Sequence, residues 1–177
     1  MGSMTIGADV DDLVAARTSI DPMHRAIHQG NAWMATHYDS SVAGSLTCDL
    51  LLVVGASNAH AIFSAASTGI ARAILYEATT TSSVGTAMSE VAINRASVAS
   101  PLATVTHTPT VTSVKTEIAT ELLPAGVGAP GMFGAVGHHE VILDAGKAYL
   151  FRIDNLGSTV AMSVGVRWYE IAGNAAS

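Results

Sequence analysis

The stretch Ala103-Thr-Val-Thr-His-Thr-Pro-Thr-Val-Thr112 decides how the chain is read. Ala103, Val105 and His107 share one parity while threonine fills the other, the two-residue period of a half-buried β-strand. Pro109 cannot donate a ladder hydrogen bond, which puts this segment at a sheet edge or a bulge. The strand it predicts runs over 102–112, and outward from it aliphatic and β-branched runs punctuated by Gly, Ser, Asn and Thr predict further strands at 24–38, 46–54, 59–66, 70–78, 87–93, 139–144, 148–154 and 159–170. Ser67-Thr-Gly69, Asp144-Ala-Gly-Lys147 and Asp154-Asn-Leu-Gly-Ser158 read as hairpin reversals. Gly85–Ala96 stays open between strand and helix, since Met88, Val91 and Ile93 fall roughly on one helical face. The repeated amphipathic helices of a βαβ fold are missing, and so is the Cys and Trp pair of an immunoglobulin domain. The reading is an all-β fold: an antiparallel two-sheet β-sandwich, jelly-roll-like, spanning 23–177.

Residues 1–22 differ from this pattern. Asp9, Asp11 and Asp12 precede a short apolar run, and Asp21-Pro22 closes the segment, which reads as an extended N-terminal arm with at most one helical turn. At the other extreme, Leu122–Gly137 is rich in Gly and Pro without a strand or helix period, and reads as the main exposed loop.

Composition narrows the function. The 177 residues are 49% apolar and only 12% charged, with a net charge of −6 and a mean hydropathy of +0.40. Much of the surface must therefore be Ala, Ser, Thr or Gly, a kind of surface that partners often cover. Eight Lys and Arg scattered from Arg17 to Arg167 form no basic stripe, which argues against nucleic acid. The longest apolar run, Leu50–Ala56, is far short of the roughly 20 residues that span a bilayer, so no membrane is expected. The N-terminus has neither the basic nor the apolar region of a secretory signal. A single cysteine, Cys48, excludes an intrachain disulfide and reads as a small buried hydrophobe.

Motifs for chemistry are weak. Gly55-Ala-Ser57-Asn-Ala59 resembles a nucleophile elbow, but its last glycine is Ala59 and the parallel sheet behind such an elbow is not predicted. Gly126-Val-Gly128-Ala-Pro-Gly131 matches a dinucleotide-binding pattern in letters only, because the prolines and glycines around it forbid the required helix. Of the seven histidines, His24 and His28 would share a face on a helix, whereas on a strand they stand about 13 Å apart, too far for one ion. In His138-His139-Glu140 only one histidine could face a given site. No catalytic residue, cofactor site or metal site is predicted, and the best exception is a metal shared between subunits on a symmetry axis. Trp33 and Trp168 read as core or interface anchors.

Four groups of segments carry a family resemblance. They are Ile20–Gly30 with Trp33; Ala71–Glu77; Gly85–Ala87 leading to Asn94-Arg95 and Thr106–Thr110; and Ile142–Asn155 with Val166–Glu170. Together they resemble the capsid decoration, or cement, proteins of tailed bacteriophages, small β-sandwich proteins of the virion. The resemblance implies a non-enzymatic protein, made in the host cytoplasm, that sits on the capsid surface as a homotrimer or similar cluster bound to the major capsid protein. It makes 85–95 loop and strand, and implies an arm that orders on the lattice. The interface residues it points to are Asp21, Pro22, His24, His28, Trp33, Phe133 and His138. Two other functions remain open: a carbohydrate- or host-surface-binding jelly-roll module, for which the 122–137 loop offers only Phe133, and a head-to-tail or tail protein of the same virion. A hydrolase would need Ser57 in contact with a histidine.

Overall fold

The computed structural model describes residues 22–124, 131–132 and 140–170. Nearly all of the arm, Asp21, Phe133, His138, His139 and most of the 122–137 loop lie outside these residues. The first described element is a helix, α1 (Pro22–Gln29), where the sequence reading starts a strand at residue 24. The sequence reading ends the arm at Pro22, but at the first position of a helix the fixed φ and missing N–H of proline are no handicap. Gly30 ends the helix at φ 78°. Its N–H bonds the Ile27 carbonyl at 3.0 Å and that of Asn31 the Ala26 carbonyl at 2.9 Å, the paired bonds of a Schellman cap. Ala26, with Met23 and Ile27 beside it, packs α1 against Ala32, Ile93 and Tyr169.

Strands follow as β1 (Ala32–Val42), β2 (Thr47–Val53), β3 (Ala59–Ser67), β4 (Ala71–Glu77), β5 (Thr80–Ser83), β6 (Thr86–Ala87) and β7 (Val91–Ala92). Then come β8 (Thr104–His107), β9 (Thr110–Ser113), β10 (Thr116–Leu123), β11 (Gly131–Met132), β12 (Val141–Leu143), β13 (Ala148–Asn155) and β14 (Val160–Glu170). One sheet runs β11-β3-β14-β1-β7 with β12 also on β3, and the other runs β10-β4-β13-β2-β8-β6. All pairs are antiparallel, and they nest: β1 with β14, β2 with β13, β3 with β11 and β12, β4 with β10. Successive nested pairs alternate between sheets, as when a long ribbon is rolled on itself. That is the jelly-roll arrangement, and the predicted all-β sandwich is what the chain adopts.

The excursion between β4 and β10 contains no helix. Residues 85–96 are two short strands and bends, so the helical option there is overturned. The predicted strand 102–112 breaks at Thr108-Pro109, where Thr108 has φ 54°. β8 joins the sandwich, while β9 pairs with β5 in a separate two-stranded sheet. β8 covers the free edge of β2 and β7 covers that of β1. Two edges that could recruit foreign strands are thereby occupied. β10 was not predicted at all, and it takes the first residues of the presumed loop, Leu122 and Leu123.

The core lies between the sheets. Leu50, Leu52, Phe151 and Ile153 from one sheet meet Phe63, Val164, Val166 and Trp168 from the other. Phe63 and Phe151 lie 5.1 Å apart between ring centroids, and Trp33 and Trp168 6.1 Å. Full burial of each such side chain is worth about 2–3 kcal/mol. Cys48 is part of this core, and burial, with the charges of Asp39 and Asp49, pushes its thiol pKa up to about 12. No helix among the described residues is long and apolar enough to cross a membrane.

Candidate functional site

Register places the β1–β2, β3–β4 and β13–β14 connections at one end of the sandwich, since Asn155 faces Ala71, Asp154 faces Thr47, and Val42 faces Val160. Each connection presents one large aliphatic residue to solvent: Leu46 at 57%, Ile70 at 49% and Leu156 at 52% exposure. The backbones of the three are tied together. Asn155 N–H bonds the Leu46 carbonyl at 3.0 Å, and Leu156 N–H bonds the Ile70 carbonyl at 3.1 Å.

The tip is held from beneath by the Asn155 side chain, which is only 3% exposed. Its Nδ2 donates to the carbonyls of Val42 at 2.8 Å, Ala43 at 3.1 Å and Ser158 at 2.7 Å, and its Oδ1 accepts the Gly157 N–H at 3.0 Å. One amide thus knits the first and last connections of the barrel-like end. Gly44 allows the approach, because a Cβ there would stand 2.5 Å from the Gly157 carbonyl oxygen. Beside the tip, Arg72 and Asp154 pair at 2.6 Å on the outer sheet face. Fixed aliphatic side chains with a polar flank are the makings of a contact surface for another macromolecule.

Two groups on the sheets also contain histidine. His37 of β1 and His107 of β8 face inward from opposite sheets and stack at 3.9 Å, in a cleft of about 480 Å³ also lined by Met34, Met88 and Val91. Burial lowers the His37 pKa, the charge of His107 lowers it further, and Asp39 opposes both. On the outer face of the sheet that holds β3, β14 and β1, the Tyr169 hydroxyl donates to Glu140 Oε1 at 2.6 Å and lies 3.0 Å from His60 Nδ1, which also contacts Glu140. His60 is engaged by these two groups, and among the described residues no hydrogen bond joins it to Ser57, the contact a hydrolase would need. No group of three or more His, Cys, Asp or Glu among the described residues could hold a metal ion.

Glu170 organises the opposite end. Its buried carboxylate accepts the N–H groups of Leu102 and Ala103 at 2.9 Å and the Trp168 indole N–H at 3.2 Å, anchoring the excursion to the last strand.

The predicted interface residues divide. Pro22, His24 and His28 are exposed on α1. Trp33 is 3% exposed inside the core against Trp168, so as an interface residue it is corrected to a core residue. Asp21, Phe133 and His138 lie outside the described residues. Leu46, Ile70 and Leu156 were missed, although each carried a signal: a lone large aliphatic residue inside a turn, beside Ser45, Gly69 or Gly157. No protein-family model, no curated protein and no solved structure matches this chain.

Proposed function

We propose that this chain is a structural protein of a tailed-bacteriophage head, a decoration or cement protein that binds the outer capsid surface and acts by assembly. What carries this reading is the tip, where Leu46, Ile70 and Leu156 stand about half exposed on connections fixed by Asn155. Aliphatic side chains held in place against water are stabilised when a partner surface covers them, and little conformational entropy is lost because the loops are already ordered. The sparse charge of the chain supports the reading, since large permanent interfaces disfavour buried unpaired charge.

In this role the protein binds the assembled shell and not its dissociated subunits, so it stabilises the shell by mass action, with many modest contacts adding along the lattice. The partner is the major capsid protein, and a homotrimer presents three tips together.

The test is co-sedimentation of the purified chain with empty mature heads assembled from the capsid protein of the same genome. Wild-type chain should sediment with the heads, and the triple change Leu46→Asp, Ile70→Asp, Leu156→Asp should abolish this while leaving Tm within about 6 °C, as expected of three exposed sites. Heads that bind neither protein, or both equally, would overturn the assignment.

A further inference from the structure

The resemblance places His24 and His28 among the interface residues, and the helix sets them one turn apart on its exposed side. Their Nε2 atoms lie 3.0 Å from one another. The ring centroids are farther apart, at 4.6 Å, with planes inclined by 70°. The rings therefore lean together at their Nε2 edges, the atoms that ligate metals. With nitrogen–metal bonds of about 2.0–2.1 Å, a 3.0 Å separation subtends about 91–97° at an ion. That is the angle between neighbouring ligands in tetragonal or octahedral geometry, and narrower than the tetrahedral angle.

We propose that His24 and His28 form a two-imidazole chelating site for a late first-row divalent ion, Cu²⁺ ahead of Ni²⁺ and Zn²⁺. Neutral imidazole pairs select these ions over Mg²⁺ and Ca²⁺, which demand oxygen ligands. Three features favour a cation here. His28 lies in the last turn of α1, at the negative end of the helix dipole. The chain carries a net charge of −6. The pair is also held from the far side, because Ala26, Met23 and Ile27 fix α1 on the sheet and the Asn94 Nδ2 donates to the His28 carbonyl at 3.4 Å. A chelate on a docked helix orders little that is not already ordered. Among the described residues only two ligands are supplied, which leaves the remaining coordination positions to water. This site is independent of the proposed role in a capsid.

The experiment is calorimetric titration of the full-length chain with NiCl₂ near pH 7.5, with CuSO₄ and MgCl₂ in parallel. The site predicts one Ni²⁺ per chain, tighter Cu²⁺ and no Mg²⁺ at comparable concentration. His24→Gln or His28→Gln should each weaken Ni²⁺ binding at least about tenfold, because a chelate becomes a single imidazole. Seven histidines make a spacing control necessary. The pair of changes His28→Gln and Gln29→His keeps their number but not their spacing, and should be as weak as either single variant. Both histidines are exposed, so unchanged melting of the variants checks that the fold is intact. Absence of Ni²⁺ binding up to about 1 mM would overturn the proposal, as would binding that survives both single substitutions or the spacing control.

Discussion

Removing the Asn155 side-chain amide should collapse the tip before it disturbs the core. Of its four hydrogen bonds, the one to the Val42 carbonyl is buried and the other three are half-buried. In Asn155→Ala the Val42 carbonyl loses its partner out of reach of water, worth about 1–3 kcal/mol, and the other groups lose bonds that water partly replaces, about 0.5–1 kcal/mol each. The sum is about 4 kcal/mol, which in a chain of this size lowers Tm by about 8–16 °C. Asn155→Asp sharpens the test, because its shape is nearly that of asparagine but its carboxylate would face the carbonyl oxygens of Val42, Ala43 and Ser158. At pH 7 it should be less stable than Asn155→Ala. The sign with pH follows: the folded state would hold the new carboxyl protonated, with its pKa above the ordinary value of about 3.9, so its deficit shrinks towards pH 4 and grows as pH rises. Thermal melts of the three proteins at pH 4 and pH 7, followed by circular dichroism, measure this. If Asn155→Ala lowers Tm by less than about 3 °C, or Asn155→Asp is no worse than alanine at pH 7, the amide does not hold the tip.

Two further outcomes are expected. Asp49 is buried and binds Arg152 through two bonds of 2.9 and 2.7 Å, an arrangement that raises the arginine pKa. Asp49→Ala should cost about 2–3 kcal/mol in chemical denaturation, less than for a fully buried pair because Arg152 reaches water. The lowered pKa of His37 means that the folded state resists its protonation. Stability is then full above the ordinary histidine pKa of about 6.5 and is lost as pH falls below it, so the loss between pH 7 and 5 should be smaller in His37→Gln.

The strands with alternating or continuous apolar residues were legible: 46–54, 59–66, 70–78, 148–154 and 159–170 correspond to β2, β3, β4, β13 and β14 within two residues. These are the strands that bury side chains, and burial writes periodicity into the sequence. β10 buries only Leu123 and is otherwise exposed or half-exposed, so its pairing with β4 left no hydrophobic signature. α1 is short, and Pro22 carries opposite meanings at the beginning and beyond the end of a helix. The division at Thr108-Pro109 depended on a backbone conformation that threonine seldom adopts. At the site, each tip residue sat in a recognisable turn, but three turns spread from residue 43 to 159 become neighbours only through jelly-roll pairing. The histidine pair was legible as a spacing and became a site only once the segment was known to be helical.

The nesting of the strands has a consequence for biosynthesis. β14, the last of the described strands in chain order, lies in the middle of its sheet between β3 and β1. β1 and β2 are made before the other described strands, yet their long partners β14 and β13 come after all the rest, and among the described strands only short β7 and β8 can pair with them before then. Much of the chain must therefore wait with open ladders until residues 148–170 have been made, the situation in which slow folding and chain-to-chain association compete. A ribosome that stalls before residue 160 leaves behind a sheet missing its centre.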